Sequence, residues 1–274
     1  MNLLHPRGFP IHAERMGRGP RRALALHCSL AHGGAWRGVA AHLGDLLTLH
    51  AIDLPGHGRS GDWGGRQGYH DLTTDLVSEL VDDLAGEEGI DLIGHSLGAT
   101  IALRLALRAP ERLRSLTLIE PVVFAAARVS APDVFADHRR RSADFSTAWE
   151  RGDIETAARA FLGHWGAGQS WADMPQPQRD YMMARLCIVA ETDPDLSADR
   201  AGLLRRGGLE ALHLPVLLLE GALSPPVIGA IIAELARRLP DARRQSVAGA
   251  AHMLPITHPL DTGAAIREFL IANG

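Results

Sequence analysis

Ser96 occupies the centre of Gly94-His95-Ser96-Leu97-Gly98, a pattern in which a serine can act as a nucleophile. Residues 90–93 form a short apolar run typical of a buried strand, and residues 97–108 have the pattern of a helix. A serine at such a sharp turn projects its hydroxyl above the sheet edge, and flanking glycines let strand and helix approach closely. Free N–H groups at the start of the helix can stabilise an oxyanion. We therefore predict that Ser96 is the nucleophile of an acyl-transfer reaction.

The general base for this serine must come from a distant part of the chain. Among the 14 histidines, His252 stands in residues 249–255, a loop between the last predicted strand and the last predicted helix. Such a loop lies at the carboxyl edge of a parallel sheet, which is also the edge of Ser96. His95 adjoins the serine, but neighbouring side chains on this turn point apart, so we interpret His95 as structural. His258 is expected to begin the closing helix, and His252 is the predicted base.

An oxyanion hole needs two backbone N–H groups near the nucleophile. The N–H of Leu97, at the start of the helix, is one predicted donor. The second is expected from residues 27–36, the loop after the first long apolar strand. Ser29 is the preferred donor there, and Leu30 is the alternative. Cys28 in the same loop has no motif of a reactive thiol and is interpreted as a small buried side chain.

Short apolar runs alternate with segments of helical period, which is typical of a mostly parallel sheet with helices on both faces. Strands are predicted at 23–27, 47–53, 90–93, 115–119, 216–219 and 243–247. Helices are predicted at 71–84, 97–108, 226–239 and after residue 259. Residues 124–208 lack convincing strands and contain several short helical stretches. We therefore expect a core domain of residues 1–123 and 209–274, interrupted by a helical insertion of residues 124–208.

The composition of the 274 residues excludes several classes of protein. Lys and Arg number 28 against 32 Asp and Glu, so the net charge of −4 offers no broad basic field for nucleic acid or an anionic membrane. The run His138-Arg139-Arg140-Arg141 is interpreted as a solvated helix face. Two distant cysteines, Cys28 and Cys187, give neither a disulfide framework nor metal-ligand spacing. With no signal peptide and no long apolar run, the protein is expected to be cytoplasmic.

Four motifs taken together resemble successive landmarks of the α/β-hydrolase superfamily. They are the 27–36 loop, Asp53-Leu54-Pro55-Gly56-His57-Gly58-Arg59-Ser60, the turn at Ser96, and Gly249-x-x-His252. The likeness is strongest to the esterase, enol-lactonase and C–C hydrolase branch, and it covers nearly the whole chain outside residues 124–208. It implies a doubly wound sheet, a helical cap formed by the insertion, and chemistry without a metal or organic cofactor.

The resemblance also implies where the triad acid stands. Most members of the superfamily have it three residues after the glycine that corresponds to Gly221, but this chain has Ser224 there, which cannot carry a negative charge. Some members carry the acid at the end of the preceding strand, where Glu120 stands. The chain order Ser96, Glu120, His252 is the order expected of this fold. Glu120 is therefore the predicted acid.

Other assignments of the acid stay open at this point. Glu220 is the second carboxylate near the usual position, and a Ser–His dyad without an acid is a further alternative. Asp193 and Asp195 lie in the insertion, where a role in a turn is expected. The superfamily also has a glycine in place of Cys28, so the resemblance leaves the conformation of the oxyanion loop to be determined.

The predicted activity is hydrolysis of an ester or lactone of a small to medium apolar molecule. Ser96 would form an acyl-enzyme with His252 as base and Glu120 orienting the imidazole. Several large apolar side chains in the cap favour an apolar substrate: Trp149, Phe161, Trp165, Trp171, Met182 and Met183. For any single one of them, packing within the cap itself is the expected role. A C–C bond hydrolase and a cofactor-free haloperoxidase would use the same residues, and a non-catalytic ligand-binding protein is the alternative from another class. A small molecule is the expected partner, and the sequence leaves a monomer or a homodimer open.

Overall fold

In a computed structural model, residues 2–65, 68–166 and 168–274 are described. Eight strands in these ranges form one sheet: β1 (Asn2–Leu4), β2 (Ile11–Met16), β3 (Arg21–Leu26), β4 (Leu47–Ile52), β5 (Ile90–His95), β6 (Leu113–Ile119), β7 (Val216–Gly221) and β8 (Ala242–Val247). The strand order is β1-β2-β4-β3-β5-β6-β7-β8. β2 pairs antiparallel with both of its neighbours, and every other pairing is parallel.

Helices connect the parallel strands or follow them. They are α1 (Arg37–Leu43), α2 (Tyr69–Ala85), α3 (Leu97–Arg108), α4 (Phe124–Ser130), α5 (Pro132–Arg141), α6 (Ala143–Glu150), α7 (Ile154–Trp165), α8 (Gln176–Met183), α9 (Leu186–Ala198), α10 (Pro226–Arg238), α11 (Leu254–Thr257) and α12 (Pro259–Ala272). Short 3-10 turns lie at Pro6–Gly8, Gly33–Trp36, Pro110–Arg112 and Leu209–Ala211. Within the described ranges, no helix is long and apolar enough to cross a membrane.

The two faces of the sheet bury separate hydrophobic clusters, because successive side chains of a strand point to opposite faces. In β3, Leu24 and Leu26 join the cluster that α2, α3 and α10 cover. Ala23 and Ala25 join the cluster on the other face, under α1 and α12. The sheet is thus covered on both sides, and the predicted doubly wound, mostly parallel fold is confirmed.

The predicted core elements agree with the observed ones to within two residues at each end, and α3 has the predicted bounds. The elements that the sequence analysis missed are β1, β2, α1 and the short α11. In β2 the buried residues Ile11 and Ala13 alternate with the polar His12 and Glu14, so no continuous apolar run marks the strand. In α1 a glycine, Gly38, stands in the first turn and weakens the helical pattern.

The insertion is helical, as predicted, and contains α4 to α9. Helices α6 to α9 contribute to a third cluster of their own around Ala157, Leu162 and Leu186. Phe124 of α4 instead belongs to the main core. The division into a core and a cap at residue 124 stays a prediction.

The expected turn at Asp193 and Asp195 is wrong, because both residues lie inside α9, which continues through Pro194. Asp193 accepts a hydrogen bond from Nη1 of Arg139 at 2.9 Å and another from the hydroxyl of Ser197 at 3.0 Å. Pro194, between the two carboxylates, is a residue that usually breaks a helix. The helix nevertheless continues, and the ion pair of Asp193 with Arg139 joins it to α5.

Candidate active site

Ser96 lies at the turn between the end of β5 and the start of α3. Its φ of 56° and ψ of −117° form a strained conformation for a residue with a β-carbon. The glycines on either side are sterically required, since a β-carbon at Gly94 would lie 2.5 Å from Cα of Ala99, and one at Gly98 would lie 2.4 Å from the carbonyl oxygen of Leu26. The N–H of Ser96 donates to the carbonyl of Ile119 at 2.9 Å, which ties the turn to β6.

His252 follows β8, and its imidazole connects the serine to a carboxylate. Nε2 lies 3.0 Å from Oγ of Ser96, and Nδ1 lies 2.6 Å from Oε2 of Glu120. We assign the proton on Nδ1 from this network, because a carboxylate only accepts, and Nε2 is then free to accept the serine hydroxyl. The sequence analysis expected these three side chains to meet, and the structure brings them together.

Glu120 stands immediately after β6 and is completely buried. Its φ of 48° lies in the left-handed region. Oε1 accepts the N–H of Gly221 at 2.7 Å and the hydroxyl of Ser224. Glu220, the alternative acid, instead pairs with Arg244, whose Nε lies 2.7 Å from its Oε1. The sheet edge therefore brings Glu120 to His252 and directs Glu220 elsewhere.

His95 is structural in the observed arrangement. Burial lowers the pKa of His95 to about 3, so its ring is neutral. Nε2 lies 2.8 Å from the carbonyl oxygen of His252, which requires the proton on that nitrogen, and the two rings are 5.2 Å apart. This hydrogen bond holds the loop that carries His252. His258 stands at the N-cap of α12, as predicted.

One backbone N–H directly follows the serine, and a second belongs to a residue that lines the same cavity. Leu97 is the first residue of α3, so its N–H has no acceptor within the helix. Ser29 lines the same cavity as Ser96, and its N–H makes no hydrogen bond with the described residues. The N–H of Leu30, the alternative donor, is already used, since it donates to Nε2 of His57 at 3.1 Å. The free donors are therefore those of Leu97 and Ser29.

Cys28 fits the oxyanion loop without strain, because it is absent from the residues with positive φ and is almost completely buried. Burial raises the pKa of the Cys28 thiol to about 12, which keeps it protonated. The β-carbon in place of a glycine is thus accommodated, and the loop takes its shape from other residues.

Two buried histidines, His27 and His57, hold the oxyanion loop, and the sequence analysis did not assign them a role. Burial lowers the pKa of each to about 3, so both are neutral. His27 accepts the N–H of Leu54 at 2.9 Å, while its Nδ1 lies 2.6 Å from the carbonyl oxygen of Cys28. His57 accepts from Leu30, as described above. The sequence signal that could have indicated the role of His57 is the segment of residues 53–60, which contains it and resembles a motif of the α/β-hydrolase superfamily.

Tyr181 of α8 connects the insertion to the loops of the core. Its hydroxyl accepts the N–H of Gly58 at 2.9 Å and donates to the carbonyl of Ala31 at 2.8 Å. The guanidinium of Arg185 lies 3.5 Å from the centre of its ring. The three bonded positions are far apart in the chain, so no local sequence pattern could have indicated this contact.

Two neighbouring cavities meet at the candidate site. The inner one, of about 290 Å³, contains Ser96 and His252 and is lined mainly by residues of the insertion, both aromatic ones such as Trp149 and charged ones such as Arg141. The outer one, of about 690 Å³, shares Ser29, Phe161 and Trp165 with it and extends to the following side chains: Met174, Tyr181, Met182, Met253 and Ile256. The Trp165 ring lies 4.5 Å from the His252 ring, so the insertion covers the catalytic imidazole.

The large apolar side chains of the insertion divide into two groups. Trp149, Phe161, Trp165 and Met182 line the cavities, whereas Trp171 and Met183 do not. Trp149, Phe161 and Met182 also pack against the cluster of the insertion, as Met183 does. A role in contacting substrate stays a prediction for the four residues that line the cavities.

The basic run at the end of α5 is only partly the solvated face that was predicted. Arg140 and Arg141 are exposed and pair with Asp137. His138 is buried and stacks on Phe124 with 4.4 Å between the ring centres. Burial lowers its pKa to about 4, so it is neutral. The helical period turns His138 inward, which explains why the expectation is wrong at this position.

Comparison with known proteins gives a family and a set of relatives. Residues 24–259 match the family described as alpha/beta hydrolase fold. The chain is 32% identical over 257 residues to a pimeloyl-[acyl-carrier protein] methyl ester esterase of Cronobacter sakazakii, covering 90% of this chain and 91% of the relative. It is 33% identical over 272 residues to the protein of the same name from Methylococcus capsulatus, covering 95% and 98%.

Solved structures show the same fold. An alpha/beta hydrolase from Sphaerobacter thermophilus superposes with a TM-score of 0.69 at 24% identity, over 96% of this chain and 97% of that one. A carboxylesterase from Bacillus subtilis superposes with a TM-score of 0.69 at 20% identity, over 99% and 91%. No group of three or more potential metal-ligating side chains occurs in the described ranges.

Proposed function

Since the chain belongs to the α/β-hydrolase fold family, we propose that it hydrolyses carboxylic esters through Ser96, His252 and Glu120. Its similarity along most of its length to methyl ester esterases makes it an enzyme of the carboxylic ester hydrolase type. The observation that carries the proposal for these three residues is the continuous chain of hydrogen bonds. It runs from Oγ of Ser96 to Nε2 of His252 at 3.0 Å, and from Nδ1 to Oε2 of Glu120 at 2.6 Å.

The reaction proceeds in two acyl transfers. Oγ of Ser96 attacks the ester carbonyl carbon while Nε2 of His252 takes the hydroxyl proton. The oxyanion that forms accepts hydrogen bonds from the N–H groups of Ser29 and Leu97. When the tetrahedral intermediate collapses, the ester C–O bond breaks and the imidazolium gives its proton to the leaving alcohol. A water molecule then attacks the acyl-enzyme with His252 as base, which releases the acid and restores the serine hydroxyl.

Glu120 acts through the imidazole and exchanges no proton in this scheme. Its carboxylate holds His252 in the tautomer that leaves Nε2 free, and it stabilises the positive charge that the ring gains during attack. That interaction is strengthened by burial, because His252 is 4% exposed and Glu120 is 0% exposed. Trp165 above the ring keeps bulk water away from the same charge.

We further propose a methyl ester of a medium-length acyl chain as the substrate. The methyl ester is the group named in the relatives, and the inner cavity of about 290 Å³ is at the small end of ligand pockets, which span roughly 300–1,000 Å³. Aromatic side chains such as Phe161 and Trp165 suit an apolar chain, and the charged residues Arg139, Arg141, Glu150 and Asp193 also line this cavity. A small molecule, free or attached to a carrier, is thus the proposed partner.

The test is a panel of methyl esters with acyl chains of increasing length, each offered free and attached to acyl carrier protein. A lactone and a β-diketone extend the panel to the other chemistries. We expect turnover of medium-length methyl esters, and a fall of about a thousandfold or more for Ser96→Ala. Cleavage of the diketone with no turnover of any ester would replace this proposal with C–C bond hydrolysis.

A further inference from the structure

Glu120 uses its two carboxylate oxygens for different contacts. Oε2 faces Nδ1 of His252 at 2.6 Å, whereas Oε1 accepts the N–H of Gly221 at 2.7 Å and the hydroxyl of Ser224. No arginine pairs with this carboxylate within the described ranges. A completely buried carboxylate oxygen without a hydrogen-bond donor is energetically costly, so Gly221 and Ser224 stabilise the position of Oε1.

From this geometry we propose that Ser224 is a positioning residue, whose hydroxyl holds the Glu120 carboxylate in the orientation that serves His252. The proposal rests on the proposed function, because it assumes that Glu120 is the acid of the triad. Ser224 contacts neither the nucleophile nor a substrate, so its effect on the reaction passes through Glu120.

The backbone delivers this hydroxyl through a fixed turn. The N–H of Ser224 donates to the carbonyl of Gly221 at 3.1 Å, which closes a turn at the end of β7. The N–H of Leu223 donates to the carbonyl of Ala250 at 2.8 Å, two residues before His252. One turn therefore links the acid, its hydrogen-bond donor and the loop of the base.

The Glu120 backbone supports the same conclusion. Its positive φ of 48° is a strained conformation for a glutamate, and such strain is found at functional sites where the surroundings hold it. The N–H of Glu120 donates to the carbonyl of Leu219 at 2.9 Å, so β7 fixes its main chain while Gly221 and Ser224 fix its side chain.

Because the side chains of residues 224 and 120 are in contact, we expect that the acid can be moved from one position to the other. A carboxylate at 224 beside the carboxylate of Glu120 would bring two like charges into contact, which excludes both acids being present in ionised form. An acid at 224 requires a neutral donor at 120. Because the side chain of aspartate extends beyond that of serine, we expect it to reach Nδ1 of His252 from this position.

The first experiment compares Ser224→Thr with Ser224→Val, two side chains of the same shape that differ by the hydroxyl, together with Ser224→Ala. We expect kcat to fall about tenfold or more for the Val and Ala variants, with KM within about twofold, and to stay within about threefold of wild type for Thr. The low-field proton resonance of His252 Nδ1–H should shift in the Val and Ala variants and persist in the Thr variant. Since Ser224 is only partly buried, all three variants are expected to fold, which thermal melting checks.

The second experiment moves the acid. We expect the double variant Glu120→Gln with Ser224→Asp to recover at least about tenfold in kcat over Glu120→Gln alone, while Ser224→Asp alone falls below wild type. Equal kcat and an unchanged resonance in the Val and Thr variants would overturn the proposal, as would a double variant no better than Glu120→Gln. If wild type hydrolyses no ester, the proposed function fails, and the proton resonance then tests the positioning role separately.

Discussion

Nδ1 of His252 lies 2.6 Å from Oε2 of Glu120, although 132 residues separate them in the chain. The contact exists because β6 ends beside β5 and the loop after β8 returns to the same edge of the sheet. Ser224 follows β7, the strand next to β6, and stands at the position where the family resemblance implies an acid. The Ser224 hydroxyl donates a hydrogen bond to Glu120, which is the proposed acid.

The first prediction concerns the choice between the two glutamates. Glu120→Gln keeps the shape of the side chain but removes the charge that stabilises the imidazolium, so we expect turnover of p-nitrophenyl acetate to fall by about a hundredfold or more. Glu220→Gln is the matched control, and it should stay within about threefold of wild type, because it loses only a partly exposed pair with Arg244. Comparable losses in both variants would contradict the assignment.

The second prediction separates the two candidate oxyanion donors. A backbone ester introduced by semisynthesis replaces one N–H with oxygen and leaves the side chain in place. At Ser29 this change should lower kcat by about 10²–10³-fold, since it removes a donor to the oxyanion. At Leu30 it removes only the hydrogen bond to His57 and should cost less. A larger loss at Leu30 than at Ser29 would reverse the assignment.

The third prediction concerns the contact between the insertion and the core. Tyr181→Phe keeps the ring over Arg185 but removes the hydroxyl that joins Gly58 and Ala31. The free energy of unfolding, measured in urea, should fall by about 0.5–1.5 kcal/mol because two hydrogen bonds are lost, one exposed and one partly buried. We also expect kcat to fall, since Ala31 belongs to the loop that carries Ser29. Wild-type kcat together with unchanged stability would show that the contact is dispensable.

The fourth prediction is a loss of stability in acid. The pKa values of His27, His57 and His95 are lowered to about 3 by burial, against 6.5 for the ordinary side chain. Between these values the unfolded chain binds protons that the folded chain does not, so the free energy of unfolding falls as pH drops from 6.5 towards 3. Above 6.5 these groups are neutral in both states and contribute no dependence on pH.

Each histidine contributes about 1.4 kcal/mol per pH unit inside that window. Urea unfolding of wild type and His57→Gln between pH 6 and pH 4 measures this contribution, and the variant should show a slope lower by about one proton. Identical slopes would mean that His57 is not held neutral by the fold.

The meeting of Ser96, Glu120 and His252 could be predicted from the sequence, because each of them follows a predicted strand. Ser96 stands in a short motif, whereas Glu120 follows β6 and His252 follows β8, and parallel strands present their carboxyl ends at one edge. An apolar run marks β6 clearly, but β8 is mostly polar and exposed. Residues 249–255 have the sequence of a loop, and no signal in them indicates α11, which begins two residues after His252.

The contacts that escaped prediction are those between segments without a shared pattern. The Tyr181 hydroxyl bonds to Gly58 and Ala31, which lie 123 and 150 positions away in the chain. Nothing in the sequence around α8 indicates these contacts. β1 has only three residues, and polar residues alternate with apolar ones along β2, so the pairing of these strands follows from the tertiary fold rather than from local preference. The ion pair of Arg139 with Asp193 likewise joins two helices.

Labelling by a fluorophosphonate tests the central claim most directly, because the reagent bonds covalently to a serine only where a base and an oxyanion hole activate it. Folded wild-type protein should be labelled at Ser96 in a single stoichiometric event, and Ser96→Ala should remain unlabelled while melting at a similar temperature. Folded wild-type protein that stays unlabelled, or an Ser96→Ala variant labelled as fast as wild type, would contradict the account.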